Sequence, residues 1–242
     1  MRDILISGAV RTPIGSLAGV FAGVSAVELG KTAAAAALMR AGLTPEAIDE
    51  AIFGNVLQAG LEQNPARQIA MGIGVPETVP GFTVNKVCAS GMKAIDLGWQ
   101  AIQLGRAEVV LAGGIENMTQ APYLLPALRQ GARLGDSTAV DSLVADGLTD
   151  VFNTYHMGVT AENVAEMFGL SRREQDEFAI GSQEKCAEAV AAGRFLDEIV
   201  PVTVTSKKRE TVINEDEYPR PTSTMEDLSR LKTVFRENGT VT

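Results

Sequence analysis

The stretch that decides the fold is residues 81–112, GFTVNKVCASGMKAIDLGWQAIQLGRAEVVLA. Its first seven residues, 81–87, have the composition of a β-strand. From 88 to 104, apolar residues recur every three or four positions, which predicts a helix that ends at Gly105. The continuous apolar run 107–112 is typical of a strand buried in a parallel sheet. A strand, a helix and a strand with short connections predict a right-handed βαβ unit.

Outside this unit the alternation of strands and helices continues, and abundant Ala and Gly suit a layered α/β protein with closely packed helices. We expect strands in 3–7 and 50–57, helices in 27–41, 65–72, 160–168 and 172–192, and strand-like pieces in 196–217. The 172–192 helix begins with the capping box formed by Ser171 and Glu174. The character of the sequence changes after residue 117, so we expect an N-terminal domain 1–117 and a second domain 118–242.

Composition excludes several classes of partner. The net charge of −9 gives an acidic surface, which repels nucleic acid and anionic membranes. No apolar run approaches the roughly 20 residues that cross a bilayer. The two cysteines, Cys88 and Cys186, lack CxxC spacing, so neither zinc nor a disulfide framework is expected. Reduced thiols suit a cytoplasmic protein.

Cys88 lies between a predicted strand and a predicted helix, and small residues, Ala89 to Gly91, follow it. A helix N-terminus presents unpaired N–H groups and the positive end of the helix dipole, and both favour a thiolate. A thiolate in that position is a candidate nucleophile. The residues alone leave open a buried structural cysteine, because free cysteines are often buried. Cys186 shares a helix face with Phe178 and Ser182, and we expect it in the core.

Five segments together resemble the thiolase family: RTPIG (11–15), QNPARQ (63–68), VNKVCASGMKA (84–94), AGGIENM (112–118) and YHMG (155–158). The resemblance implies a thiolase-like, layered α-β-α core half with an inserted α+β loop domain that binds CoA and contributes to oligomerisation. It implies an acyltransferase in which Cys88 carries the acyl group. The reaction is the condensation of two acetyl-CoA to acetoacetyl-CoA and CoA, or the reverse. The Tyr-His-Met-Gly form is similar to that of the short-chain members.

The resemblance also assigns ligand-binding residues. Contacts with CoA are implied for Leu148, His156, Met157, Arg220 and Phe235. No cofactor and no metal are expected, because the CoA thioester is itself a substrate. Segment 119–145 is similar to a tetramerisation loop, so a homo-oligomer, a dimer or tetramer, is expected. The basic run 207–209 either offsets the acidic charge near CoA or is a solvated strand edge.

The family mechanism uses further groups that this sequence lacks. A Gly-His-Pro motif and a Cys-x-Gly-Gly-Gly segment, both in a C-terminal half, supply the base and the proton shuttle, and neither occurs in these 242 residues. We therefore expect little or no turnover from this polypeptide alone. An alternative is a non-catalytic acyl-CoA-binding or assembly fragment that needs a partner chain. A ketoacyl synthase fits less well, because carrier-protein-dependent relatives would not be expected to keep the insertion domain and Tyr-His-Met-Gly.

Overall fold

The computed structural model describes residues 3–206 and 209–242. Its helices are α1 (Ala26–Ala41), α2 (Pro65–Gly72), α3 (Ser90–Gln103), α4 (Met157–Phe168), α5 (Arg172–Ala191) and α6 (Met225–Ser229). Its strands are β1 (Glu50–Gly54), β2 (Gly81–Val84), β3 (Val110–Gly114), β4 (Tyr123–Leu124), β5 (Val140–Asp141), β6 (Thr149–Asp150), β7 (Tyr155–His156), β8 (Val202–Ser206) and β9 (Arg209–Ile213). Short 3-10 helices and one π-helical segment, Leu143–Leu148, connect them.

The helix predictions were the most accurate. Those for 27–41, 65–72 and 172–192 are confirmed to within one residue. Gly42 ends α1 in the left-handed conformation, at φ 67°, and the Ser171–Glu174 capping box begins α5. Helix α4 begins at Met157 rather than at the predicted residue 160, because His156 is its N-cap and its Nδ1 accepts the Gly158 N–H.

The first compact unit contains a three-stranded parallel sheet in the order β2-β1-β3. Successive strand residues point to opposite faces of a sheet. Phe53 and Leu111 belong to a buried cluster with residues of α1 and α2, whereas Val110 and Ala112 lie next to Gly98 of α3. Helices α1 and α2 therefore cover one face and α3 the other, which is the layered arrangement that the sequence predicts.

Two compact units divide the chain. The first comprises the residues up to Leu143 together with Glu198–Glu217, and the second comprises Val144–Asp197 and Tyr218–Thr242. The first unit thus extends beyond the boundary expected after residue 117. Hydrogen bonds join residues beyond 117 to this unit: the Ala18 N–H donates to Thr119 Oγ1 at 3.0 Å, and Gln120 Nε2 donates to the Ala22 carbonyl at 3.0 Å. Arg11 likewise forms ion pairs with Glu198 and Asp216, the latter at 2.6 Å.

The prediction of a strand at 3–7 was wrong. This segment forms no described strand, and Leu5 and Ile6 are 89% and 77% exposed. A strand needs a neighbouring backbone about 4.8 Å away. Here a cavity of about 730 Å³ lies between the segment, strand β3 and helix α3. Its wall includes Met92, Ile95 and Trp99, the large apolar face that the periodicity predicted for α3.

Several further expectations concern the packing of helices and strands. Helix α3 is buried instead through its small residues, which include Ala94, Gly98 and Ala101. Cys186 is half-buried, and Phe178, which precedes it on the same helix, is 79% exposed, so the expected core position was wrong. The strand-like pieces expected in 196–217 are confirmed as strands β8 and β9, and the structure shows that they pair in antiparallel register. Of the basic run 207–209, Lys207 and Lys208 lie outside the described residues. No described helix is long and apolar enough to span a bilayer.

Candidate active site

Cys88 lies in the loop that connects β2 to α3, and its side chain is exposed. The three strands β1, β2 and β3 are parallel, so their carboxyl ends meet at one edge of the sheet. Open α/β sheets bind ligands at that edge. The alternative of a buried structural cysteine is therefore not supported, because the thiol is accessible at the edge where a substrate would approach.

Local hydrogen bonds fix the loop that carries Cys88. Asn85 Oδ1 accepts the Val87 N–H at 2.9 Å, and Ser90 Oγ accepts the Lys86 N–H at 2.7 Å. The same Ser90 hydroxyl donates to the Val87 carbonyl at 2.6 Å. Val87 adopts φ +50°, a conformation that a β-branched residue rarely takes. The residue immediately before the nucleophile candidate is thus held in a strained turn, as is common at functional sites.

Glycines allow α3 to begin directly on the sheet. A Cβ atom at Gly54, the last residue of β1, would lie 2.3 Å from the Ser90 carbonyl carbon and 2.4 Å from the Gly91 nitrogen. A Cβ at Gly114, the last residue of β3, would lie 3.1 Å from Gly91 Cα. The first turn of α3, and with it Cys88, is positioned by backbone packed against backbone.

The buried Asn55 and the partly buried Glu116 form a polar pair at the same edge of the sheet. Glu116 follows β3, and its carboxylate accepts the N–H groups of Val56 and Leu57 at 2.9 and 3.3 Å and the Asn55 Nδ2 donor at 2.9 Å. Burial raises the pKa of Glu116, and these hydrogen bonds only partly oppose the shift. Asn55 is 1% exposed, and its amide also donates to the Ile115 carbonyl. Sequence analysis missed Asn55; a polar residue directly after a buried strand was the available signal.

The second unit holds a cluster around His156. The imidazole stacks on the Phe235 ring, with ring centroids 5.0 Å apart and planes inclined by 19°. His156 Nδ1 accepts the Gly158 N–H at 3.0 Å, so a proton on the neutral ring resides on Nε2. Thr149 of β6 pairs with His156 of β7. Leu148 precedes β6 and Met157 follows β7, so these two residues lie at the same end of the strand pair.

One protein-family model matches nearly the whole chain. The family model for the thiolase N-terminal domain matches residues 4–242. The chain belongs to the thiolase family.

Individual thiolase relatives match the whole chain. A probable acetyl-CoA acyltransferase of Staphylococcus aureus strain COL is 52% identical over 243 residues, and a probable acetyl-CoA acetyltransferase of Escherichia coli K12 is 52% identical over 242. In both cases the match covers 100% of this chain and 62% of the relative. The chain thus spans about three-fifths of the length of the curated relatives it matches.

A solved thiolase structure has the same fold. The crystal structure of Bacillus anthracis acetyl-CoA acetyltransferase superposes with a TM-score of 0.94 at 41% identity, covering 98% of this chain and 60% of that chain. The predicted family and the predicted thiolase-like α/β class are therefore confirmed.

Within this thiolase chain, the ligand-contact residues predicted from the resemblance are only partly grouped. His156 and Phe235 stack on each other, and Leu148 and Met157 lie at one end of the β6–β7 pair that contains His156. Arg220 has a different neighbour, since its main-chain N–H donates to Gln183 Oε1 at 2.8 Å. Its side chain is exposed, which leaves the guanidinium available to an anionic group. Among the described residues, no group of His, Cys, Asp and Glu is arranged to hold a metal ion.

Proposed function

We propose that the protein provides the nucleophile of a thiolase-type acyl transfer, with Cys88 as the residue that accepts the acyl group. The Cys88 thiolate attacks the thioester carbonyl of an acyl-CoA, the new Sγ–C bond forms, and the C–S bond to CoA breaks. CoA leaves as a thiolate and takes up a proton. The observation that carries this proposal is the exposed Cys88 in its fixed, strained loop at the carboxyl edge of the parallel sheet.

The proposed substrates are acetyl-CoA and acetoacetyl-CoA. In the synthetic direction a second acetyl-CoA loses an α-proton, its carbon attacks the acyl-cysteine carbonyl, and the Cys88 thiolate leaves as acetoacetyl-CoA forms. Two observations support this substrate class: relatives named acetyl-CoA acetyltransferase are 51–52% identical to the chain, and the chain has the Tyr-His-Met-Gly sequence at 155–158.

Binding of CoA is proposed for the second unit. The stacked His156 and Phe235 rings offer apolar surface to pantetheine or adenine, and so do Leu148 and the exposed Met157 at one end of the β6–β7 pair. The Arg220 guanidinium suits a phosphate, because its planar donors match phosphate oxygens in pairs. The resemblance assigned these five residues together, and their roles remain part of the proposal.

We further propose that a polypeptide of these 242 residues stops at the acyl-enzyme. Condensation needs a base for the α-proton, and such a base must reach the proton within hydrogen-bond distance. His156 is the only histidine, and its Nδ1 is already engaged by the Gly158 N–H. We expect stoichiometric acylation without repeated turnover. Steady production of acetoacetyl-CoA by the purified polypeptide would contradict this expectation.

Acylation of Cys88 can be tested directly. The protein is incubated with radiolabelled acetyl-CoA, digested, and the label is mapped by mass spectrometry. We expect label on Cys88 in the unmodified protein and in Cys186→Ser, and none in Cys88→Ser. Cys186→Ser is the matched control, because Cys186 is the one other thiol in the sequence and is half-buried on α5.

The same experiment separates the second candidate function, a non-catalytic acyl-CoA-binding or assembly fragment. The exposed apolar residues that line the cavity beside α3 favour a need for a partner. CoA binding without label on Cys88 would support that function and contradict acyl transfer.

Self-association, which the resemblance implies, is also a proposal. Light scattering of the purified protein measures it.

A further inference from the structure

Glu162, in the middle of α4, is a buried carboxylate with an unusual set of partners. It is 3% exposed, and no cation forms an ion pair with it among the described residues. Its oxygens accept the Thr240 N–H at 3.0 and 2.9 Å, the Val241 N–H at 2.9 Å and the Thr240 hydroxyl at 3.2 Å. Burial of a carboxylate is unfavourable unless hydrogen bonds compensate it, so this arrangement ties α4 to the segment 239–241.

The segment Gly239–Val241 lies very close to the Glu162 carboxylate. A Cβ atom at Gly239 would lie 2.2 Å from Glu162 Oε1, so a larger residue there would displace the carboxylate. Gln175 of α5 donates to the Thr240 hydroxyl at 2.9 Å and holds it from the other side. Burial opposes ionisation of Glu162, but the donors from Thr240 and Val241, together with the positive charge of Arg236, outweigh it and hold the pKa below its usual range. The side chain therefore binds the segment as a carboxylate at neutral pH.

The same face of α4 also carries the aromatic contact. Residues four apart on a helix lie on one face, and Gly158 is four residues before Glu162. A Cβ at Gly158 would lie 2.2 Å from the Phe235 ring, so this ring rests directly on the helix backbone. From that position Phe235 stacks on His156. One helix face thus binds both ends of the segment 235–241.

Arg236 adds a third attachment. Its guanidinium donates to Asn163 Oδ1 at 2.6 Å and to Glu166 Oε2 at 2.9 Å, both on α4. This pair is partly exposed, and such pairs contribute little stability on their own. The buried Glu162 contacts are the ones that water cannot replace, so they dominate the hold on the segment.

We propose that Glu162 is a positioning residue, which fastens Gly239–Val241 to α4 and thereby keeps Phe235 stacked on His156. The inference that this stack forms part of a CoA-binding surface rests on the proposed function. The positioning role itself is independent of it. A role confined to stability would leave the His156–Phe235 stack unchanged as long as the protein is folded.

The test uses His156 as a spectroscopic probe, since a single histidine gives one unambiguous set of imidazole signals. The Phe235 ring current shifts the His156 ring protons upfield, and Phe235→Leu supplies the unstacked reference. Glu162→Gln keeps the size of the side chain but loses one of the two acceptor oxygens. We expect its His156 shifts to move at least half of the way to the Phe235→Leu values, at one pH and well below the melting temperature.

Glu177→Gln is the matched control, because Glu177 forms only an exposed pair with Arg173 on α5. We expect its His156 shifts to equal those of the unmodified protein. Unchanged shifts in folded Glu162→Gln overturn the proposal. Should Glu162→Gln fail to fold, Glu162→Asp decides, because it keeps the charge but shortens the side chain and draws the carboxylate away from the Thr240 and Val241 N–H groups. A shift toward the Phe235→Leu values is required, and unchanged shifts overturn the proposal.

CoA binding tests the part that depends on function. We expect Glu162→Gln to weaken CoA binding about fivefold relative to Glu177→Gln, the effect of ordering one more side chain on binding. Displaced His156 shifts with unchanged CoA affinity would overturn the role in CoA binding and leave the positioning role supported. Labelling of Cys88 by acetyl-CoA is measured separately, so failure of acyl transfer is distinguishable from failure of this inference.

Discussion

Replacement of Gly54 by alanine tests whether close backbone packing positions Cys88. The added Cβ would lie 2.3, 2.4 and 2.6 Å from the Ser90 carbonyl carbon, the Gly91 nitrogen and the Ser90 carbonyl oxygen. All three atoms belong to the backbone, so no side-chain rotation relieves the overlap. An ordinary contact needs about 3.5 Å or more, and the first turn of α3 must therefore move roughly 1 Å away from β1.

The expected change in the free energy of unfolding of Gly54→Ala is the difference between two opposed effects. Overpacking of a well-packed interior costs typically about 1–3 kcal/mol. Replacement of glycine reduces the entropy of the unfolded chain and returns about 0.4–1 kcal/mol. Gly54 does not have a positive φ, so no backbone strain is added. We expect a net loss of about 1–2 kcal/mol in the free energy of unfolding.

Urea unfolding and the reaction rate of Cys88 with a thiol reagent, both in a Cys186→Ser background, measure the effect of Gly54→Ala. The rate should rise, because displacement of Ser90 weakens its bonds to Lys86 and Val87. Gly181→Ala in α5 is the control: its Cβ meets nothing within 4 Å, and alanine in a helix stabilises by up to about 1 kcal/mol. An unchanged urea midpoint together with an unchanged Cys88 rate in Gly54→Ala would refute the packing argument.

Three further predictions concern caps, charge and strain. Ser171→Ala should lower the unfolding free energy by about 1 kcal/mol in urea titrations, because it removes the capping box with Glu174. Burial opposes ionisation of Asp216, but hydrogen bonds from Arg11 and a main-chain N–H hold its pKa below its usual range. The contribution of Asp216 to stability is therefore fully present above its pKa in the unfolded chain, about 4, and is lost as the pH falls through the lower pKa of the folded protein. Asp216→Asn should reduce stability at pH 7, and its urea midpoint should fall less steeply at low pH than that of the unmodified protein. Val87→Asn should stabilise by a few tenths of a kcal/mol or more in thermal unfolding, because asparagine tolerates the left-handed conformation.

Local signals in the sequence predicted the elements that depend on local physics. The βαβ unit around Cys88, the C-cap Gly42 and the capping box at Ser171 are all set by residues within a few positions of each other. They could be predicted because periodicity and capping act over one or two helical turns. The family motif then singled out Cys88 as the candidate nucleophile, and in the structure this residue lies at the exposed edge where strands β1 to β3 end.

The failed predictions concern features that depend on which element packs against a segment, because the pattern of apolar residues does not specify that element. Segment 3–7 has the composition of a strand, but a strand forms only beside another strand, and here a cavity lies beside it. Helix α3 has a large apolar stripe, yet the sheet packs against its small residues, Ala94 and Gly98, because these allow the closest approach. Periodicity predicts a face; it does not specify which element covers that face.

The burial of Glu162 could not be predicted from the sequence either, because it depends on a distant segment. An acidic residue in the middle of a helix is expected on the surface, and the chain as a whole carries a net charge of −9. Its partners are main-chain N–H groups of Thr240 and Val241, 78 and 79 residues away. Since nearly every residue carries an N–H group, the main-chain part of this contact leaves no mark in the partner's side chains, and a threonine hydroxyl such as that of Thr240 is too common to indicate it. The nearest trace is Gly239, which is required only because the carboxylate approaches so closely, and that requirement becomes visible only once the two segments are placed side by side.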